Sequence, residues 1–93
     1  MSDDMRCTFE GMSDSRYVVQ VDHDHKRTIL TVCKSLDEAR HYIKLKYRGA
    51  IRTVPTPREL SLLKVVDKYR YTFQRTKWDN YESLYILITR QIV

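Results

Sequence analysis

Glycine and proline are scarce in this sequence, with two residues of each among 93. That scarcity excludes collagen-like and low-complexity chains, and it argues against a fold built mainly of loops. Apolar residues make up 42% of the chain and aromatic residues 11%, which provides enough apolar area to offset the entropy of ordering the chain. At this length we expect one folded domain with a small core.

Cysteine is equally scarce, since Cys7 and Cys33 are the only two. No signal-peptide pattern precedes Cys7, so we expect free thiols in a reducing, intracellular and cytoplasmic setting. Long apolar runs are also lacking: the longest, residues 84–88, is of strand length, whereas a membrane-spanning helix needs about 20 residues. The sequence therefore predicts a cytoplasmic protein that does not bind a membrane.

Catalytic signatures are absent, including the P-loop, the dinucleotide-binding pattern, GxSxG and HExxH. Cys33 precedes a predicted helix whose N-terminus could activate a thiol, but His41, the only histidine on that helix, lies nearly two turns away. Alternating Asp and His at residues 22–25 are metal-ligand types without a third partner. A small enzyme or metal protein is therefore a remote third interpretation, and we expect no catalytic residue, no cofactor and no metal.

The clearest helix signal spans residues 35–49. Ser35 and Glu38 form an S-x-x-E capping box, in which each side chain satisfies a backbone N–H at the helix start. Gly49 suits the helix end because glycine adopts the left-handed conformation without strain. Four apolar residues share one face at helical spacing, namely Leu36, Ala39, Ile43 and Tyr47. This pattern predicts an amphipathic helix packed on the core.

Period-two alternation predicts four strands around this helix, over residues 16–22, 27–34, 69–76 and 81–91. Thr56-Pro57-Arg58-Glu59 is a second capping signature and predicts a helix that continues to about Asp67. We therefore predict one α+β domain over residues 16–93, in the order ββααββ, with an antiparallel sheet and two helices packed on one face. Residues 1–15 are predicted to be a flexible acidic arm.

Charge is distributed unevenly along the chain, whose formal net charge is +5. Residues 1–25 carry six acids and two bases, whereas residues 26–93 carry fifteen bases and six acids. Basic surfaces attract polyanions, and interleaved aromatic residues can stack on unpaired bases. The alternative function is therefore nucleic-acid binding, for which the predicted contact residues are Lys44, Lys46, Arg48, Arg52, Arg70 and Lys77.

The leading prediction is a non-enzymatic protein-interaction or assembly module that binds a partner protein or further copies of itself. Tryptophan and tyrosine are enriched at interaction hot spots. Trp78 lies in a predicted hairpin loop, where it either contacts a partner or folds back on a neighbouring tyrosine. Tyr85 and Leu87 lie on the outer side of the last strand and are exposed if the helices cover one face of the sheet only. The predicted protein-contact residues are therefore Trp78, Tyr85 and Leu87.

Overall fold

The structure is a computed structural model that describes residues 15–74 and 80–92. The predicted acidic arm up to residue 14, and the loop residues Lys77 and Trp78, lie outside the described residues. The elements in chain order are β1 (Ser15–His23), β2 (Lys26–Cys33), α1 (Leu36–Lys46), β3 (Ile51–Thr53), α2 (Pro57–Ser61), β4 (Val65–Gln74) and β5 (Tyr81–Ile92).

The five strands form one antiparallel sheet in the order β2-β1-β5-β4-β3. The prediction of a single α+β domain with an antiparallel sheet and two helices is confirmed, and β3 makes the order ββαβαββ. The strand β3 is short, and Pro55 follows it closely without an N–H to extend the pairing. The two central strands, β1 and β5, pair so that Ser15 lies opposite Ile92.

The helix α1 forms where its capping signals predict it. Ser35 is extended, and its Oγ accepts a hydrogen bond from the N–H of Glu38 at 3.1 Å. The Glu38 carboxylate accepts from the N–H of Lys34, at 2.9 Å, one residue before the expected partner. Gly49 has a φ of +87°, the left-handed conformation that ends the segment. Neither helix in the described part of the chain is long and apolar enough to cross a membrane.

The main core lies between α1 and one side of the sheet. Its buried members come from both layers and are Val19, Cys33, Ala39, Ile43, Ile86 and Ile88. Burying a side chain the size of isoleucine contributes about 1.5–3 kcal/mol. The apolar stripe of α1 therefore fixes which side of the helix faces the sheet, and its polar side remains available to solvent.

The helix α2 is shorter than predicted, because it ends at Ser61 and β4 begins at Val65. Lys64 between them has a φ of +57°, which breaks the helix, and the β-branched pair Val65 and Val66 favours a strand. Both helices are expected on one face of the sheet, and α1 covers the core on that face. The helix α2 differs, because its Glu59 contacts Lys68 of β4 at 3.1 Å, and Lys68 lies opposite Leu87 on the other side of the sheet.

Leu87 corrects the predicted protein-contact surface. Its side chain is 0% exposed, so the prediction that it faces solvent is wrong. Leu87 lies on a central strand between two long side chains, since Gln20 of β1 and Lys68 of β4 are its cross-strand partners. Alternation predicts the side of the sheet on which Leu87 lies, but it does not show that side chains on this side are also buried.

Candidate anion-binding cleft

A buried charge lies at the start of β4. Asp67 is only 1% exposed, and burying an ionised carboxylate is costly unless charged or hydrogen-bonding groups compensate it. Asp67 lies opposite Ile88 and Tyr69 lies opposite Ile86, so alternation places both on the α1 side of the sheet. A bulge precedes them: Val65 lies opposite Thr89, so Val66 is an extra residue in β4 and Val65 faces the other side.

Three hydrogen bonds from three elements compensate the Asp67 carboxylate. Arg40 of α1 donates from Nε to Oδ2 at 2.9 Å, and Arg52 of β3 donates from Nε to Oδ1 at 2.7 Å. The hydroxyl of Tyr69, on β4 itself, donates to Oδ2 at 2.9 Å. This cluster of Asp67, Arg40, Arg52 and Tyr69 connects α1, β3 and β4.

The protonation equilibria follow from these contacts. Burial alone would raise the pKa of Asp67, but the hydrogen bonds from Arg40, Tyr69 and Arg52 outweigh it and lower the pKa below its usual value. The hydrogen bond to Asp67 raises the pKa of Arg40. Burial, followed by the hydrogen bond to Asp67, raises the pKa of Tyr69. At neutral pH the cluster therefore holds an ionised carboxylate, a charged Arg40 and a neutral phenol.

Most N–H donors of the Arg40 and Arg52 guanidinium groups are not used by Asp67. Each carries five N–H groups, and the carboxylate of Asp67 accepts the Nε–H of each. Within residues 15–74 and 80–92, no acceptor bonds to the Nη groups of Arg40 or Arg52. Their side chains are 35% and 63% exposed, so these groups are accessible. Asp67 thus holds two guanidinium groups while leaving their Nη donors for a ligand.

A cleft of about 540 Å³ adjoins this pair, within the size range of small-ligand sites. We call it the anion-binding cleft. Its lining residues are Asp37, Arg40, His41, Lys44, Ala50, Arg52 and Tyr69. The four residues from α1 share one helix face because they are spaced by three or four positions. The polar side of α1 and the strand β3 therefore enclose a basic recess.

Two of the six predicted polyanion-binding residues meet in this cleft, namely Lys44 and Arg52. Arg70 lies opposite Tyr85, next in sequence to Tyr69, and so projects from the other side of the sheet. The Nζ of Lys46 lies 5.8 Å from the ring centre of Tyr42. Arg48 follows the end of α1 and is exposed, and Lys77 is outside the described residues.

Sequence reasoning missed Arg40, His41, Asp67 and Tyr69 as site residues. For Arg40 and His41, a signal was present in the sequence: helical spacing places them on the same face of α1 as Asp37 and Lys44. Asp67 was expected at the end of a helix and Tyr69 in the core. Because β4 begins at Val65, Asp67 and Tyr69 both alternate onto the α1 side of the sheet, where the cleft lies.

The predicted protein-contact residues do not form one exposed cluster. Leu87 is buried and Trp78 lies outside the described residues. Tyr85 is exposed, but the Nζ of Lys68 lies 4.7 Å from its ring centre.

Exposed apolar side chains gather instead at the end of the sheet near α2. Leu60, Leu62 and Ile92 are exposed there, and Ile92 is 81% exposed. A groove of about 910 Å³ is lined by Leu60, Lys64, Val65, Val66, Arg90, Gln91 and Ile92. We call it the apolar groove. It combines an apolar lining with two basic residues, Lys64 and Arg90.

Two of the four residues in the predicted Asp/His turn have structural partners. His23 contacts Glu82 at 3.1 Å, and Asp22 contacts Arg27 at 3.4 Å. Among the described residues, no three of His, Cys, Asp and Glu come together as a metal site. Burial, followed by the charge of Glu38, raises the pKa of the Cys33 thiol, which is the opposite of nucleophile activation.

Comparison of the chain with protein-family models, curated proteins and solved structures finds no match. Function is therefore inferred from the geometry of the cleft itself.

The Asp67 cluster predicts a pH-dependent stability. Because the folded pKa of Asp67 is lowered, its contribution is present above the unfolded pKa of about 3.9 and is lost as the pH falls through the folded pKa. We expect Asp67→Asn to lower the free energy of unfolding at pH 7 by about 1–3 kcal/mol, the range for losing hydrogen bonds to a charged group. The difference from the wild type should shrink below pH 4, as measured by urea unfolding.

Asp37→Asn is the matched control, because Asp37 lines the same cleft without bonding to Arg40 or Arg52. Its effect at pH 7 should stay below about 1 kcal/mol, the range of an exposed charge near a helix start. An Asp67→Asn protein as stable as the wild type at pH 7 would show that the cluster does not stabilise the fold.

Proposed function

We propose that this protein is a non-enzymatic nucleic-acid-binding module that holds phosphate in the anion-binding cleft. The observation that carries the proposal is the pair of guanidinium groups held by Asp67, which belong to two residues that line the cleft. Donors that are already ordered bind a ligand at a lower entropic cost than flexible surface side chains. The binding requires no catalytic step and no cofactor.

The chemistry of the cleft favours phosphate. Arginine presents a planar fork of donors that matches phosphate oxygens, whereas lysine supplies a compact charge. Arg40 and Arg52 provide two forks, and Lys44 adds the compact charge on the same helix face. Within the described ranges, Lys44 takes part in no ion pair with an acid. Its charge therefore remains available to an incoming anion.

The surrounding charge favours a nucleic acid as the source of that phosphate. Residues 26–93 carry fifteen bases and six acids, so their field attracts a polyanion before it contacts the cleft. Arg48 follows the end of α1 and is exposed. A nucleic-acid ligand also fits the intracellular setting that the sequence predicts.

The test is fluorescence anisotropy with a labelled single-stranded 12-nucleotide DNA. We expect Lys44→Ala to weaken binding about tenfold, the equivalent of losing one charge-assisted contact of about 1.4 kcal/mol. Arg70→Ala removes the same charge from the other side of the sheet and should change the affinity less than twofold. Circular dichroism checks that both variants fold. Equal effects of the two substitutions would contradict a specific role for the cleft.

A second candidate function is binding to a partner protein or self-assembly, which is the leading prediction from the sequence. The observation that favours it is the apolar groove, and not the predicted contact residues Trp78, Tyr85 and Leu87. Exposed Leu60 and Ile92 line this groove, and contiguous exposed apolar surface is typical of interfaces. The basic residues Lys64 and Arg90 favour a partner surface that is apolar with acidic borders.

Light scattering after size-exclusion chromatography separates the two candidates, with and without the oligonucleotide. A monomer that shifts to a complex with the oligonucleotide supports nucleic-acid binding. A stable oligomer that is indifferent to the oligonucleotide supports assembly through the apolar groove and counts against the cleft.

A further inference from the structure

The donors of the anion-binding cleft converge on one position rather than forming a track. Arg40 and Arg52 bond to the two oxygens of a single carboxylate, so both guanidinium groups lie beside that carboxylate. Lys44 follows Arg40 by four residues, which is about 6 Å along the same helix face. Three cationic side chains therefore border one small recess enclosed by α1 and β3.

Asp37 limits what such a recess can hold. It lines the cleft one turn before Arg40, so one end of the cleft is acidic and the other is basic. Counting Arg40, Lys44 and Arg52 against Asp37 and Asp67, the formal charge is only +1. Affinity must then come from the number and direction of the donors, and not from a large net charge. A strand that ran past Asp37 would bring a second phosphate close to that carboxylate.

A terminal phosphate suits these constraints better than an internal one. A phosphomonoester carries close to two negative charges at pH 7 and three strong acceptor oxygens. An internal phosphate of a strand carries one negative charge. Three cationic groups around one recess match the three oxygens, and Asp37 can accept a hydrogen bond from the sugar or base that follows. From the cleft, the rest of the strand can leave past Lys44 toward Arg48.

We propose that the anion-binding cleft recognises the terminal phosphomonoester of a nucleic-acid strand, with Asp67 as the residue that positions Arg40 and Arg52. This rests on the proposed function, because it specifies which phosphate the same cleft binds. The proposal also gives Asp67 two opposing effects on binding. Its carboxylate lowers the positive charge of the cleft, which weakens the attraction of any anion, but it orders the donors that select a terminal phosphate.

The experiment compares oligonucleotides of one sequence that carry a 5′-phosphate, a 3′-phosphate or hydroxyl groups at both ends, each with the same internal fluorescent label. We expect the wild type to bind at least one phosphorylated form about tenfold more tightly than the hydroxyl form. Asp67→Asn adds one positive charge but releases both guanidinium groups. It should bind the hydroxyl form at least as well as the wild type does, and lose the preference.

Arg52→Lys is the second variant, because Arg52 is 63% exposed and the substitution keeps the charge while removing the planar fork. It should also lose the preference, and it decides the question if Asp67→Asn does not fold. Equal affinity of the wild type for all three oligonucleotides overturns the preference for a terminal phosphate while leaving nucleic-acid binding intact. If none of the three binds, the proposed function fails as well.

Discussion

The buried carboxylate of Asp67 is the interaction on which both the fold near α1 and the cleft depend. Removing an ion from water costs several kcal/mol, so this position is tolerable only while Arg40, Arg52 and Tyr69 donate to it. Those three residues come from α1, β3 and β4. The three-residue strand β3 has few contacts of its own, and the Arg52 bond joins it to the buried interior. One charge therefore organises local structure and directs donors toward solvent.

The elements with strong periodicity could be predicted from the sequence. The helix α1 and the strands β1, β2 and β5 follow from apolar spacing and from the caps, and the structure confirms them within a few residues. The end of α2 could not be predicted in this way. Its leucines continue a helical stripe past Ser61, but the left-handed conformation of Lys64 ends the helix and starts a strand.

The site was predictable only in part, for a related reason. Lys44 and Arg52 stand out as exposed bases, and the structure brings them together. Asp67 was expected at the end of a helix, whereas β4 already begins at Val65, and the bulge at Val66 leaves no mark in a period-two pattern. The burial of Leu87 depends on long side chains from both neighbouring strands, which are known only once the register is known. Properties set by register and bulges therefore had to come from the structure.

The two candidate surfaces share this bulge. Val66 lines the apolar groove, and the next residue, Asp67, orders the donors of the anion-binding cleft. The start of β4 thus borders a surface suited to an apolar partner and a surface suited to phosphate. A change in the bulge would alter both, whereas Lys44 and Ile92 each belong to one surface alone.

The central claim is that Asp67 fixes the Nε–H groups of Arg40 and Arg52. The most direct measurement is nitrogen-15 NMR of the arginine side chains at neutral pH. We predict separate Nε–H signals for these two residues, protected from exchange with water, that merge with the signals of exposed arginines in Asp67→Asn. Wild-type Arg40 and Arg52 signals that exchange as fast as those of exposed arginines would contradict the account.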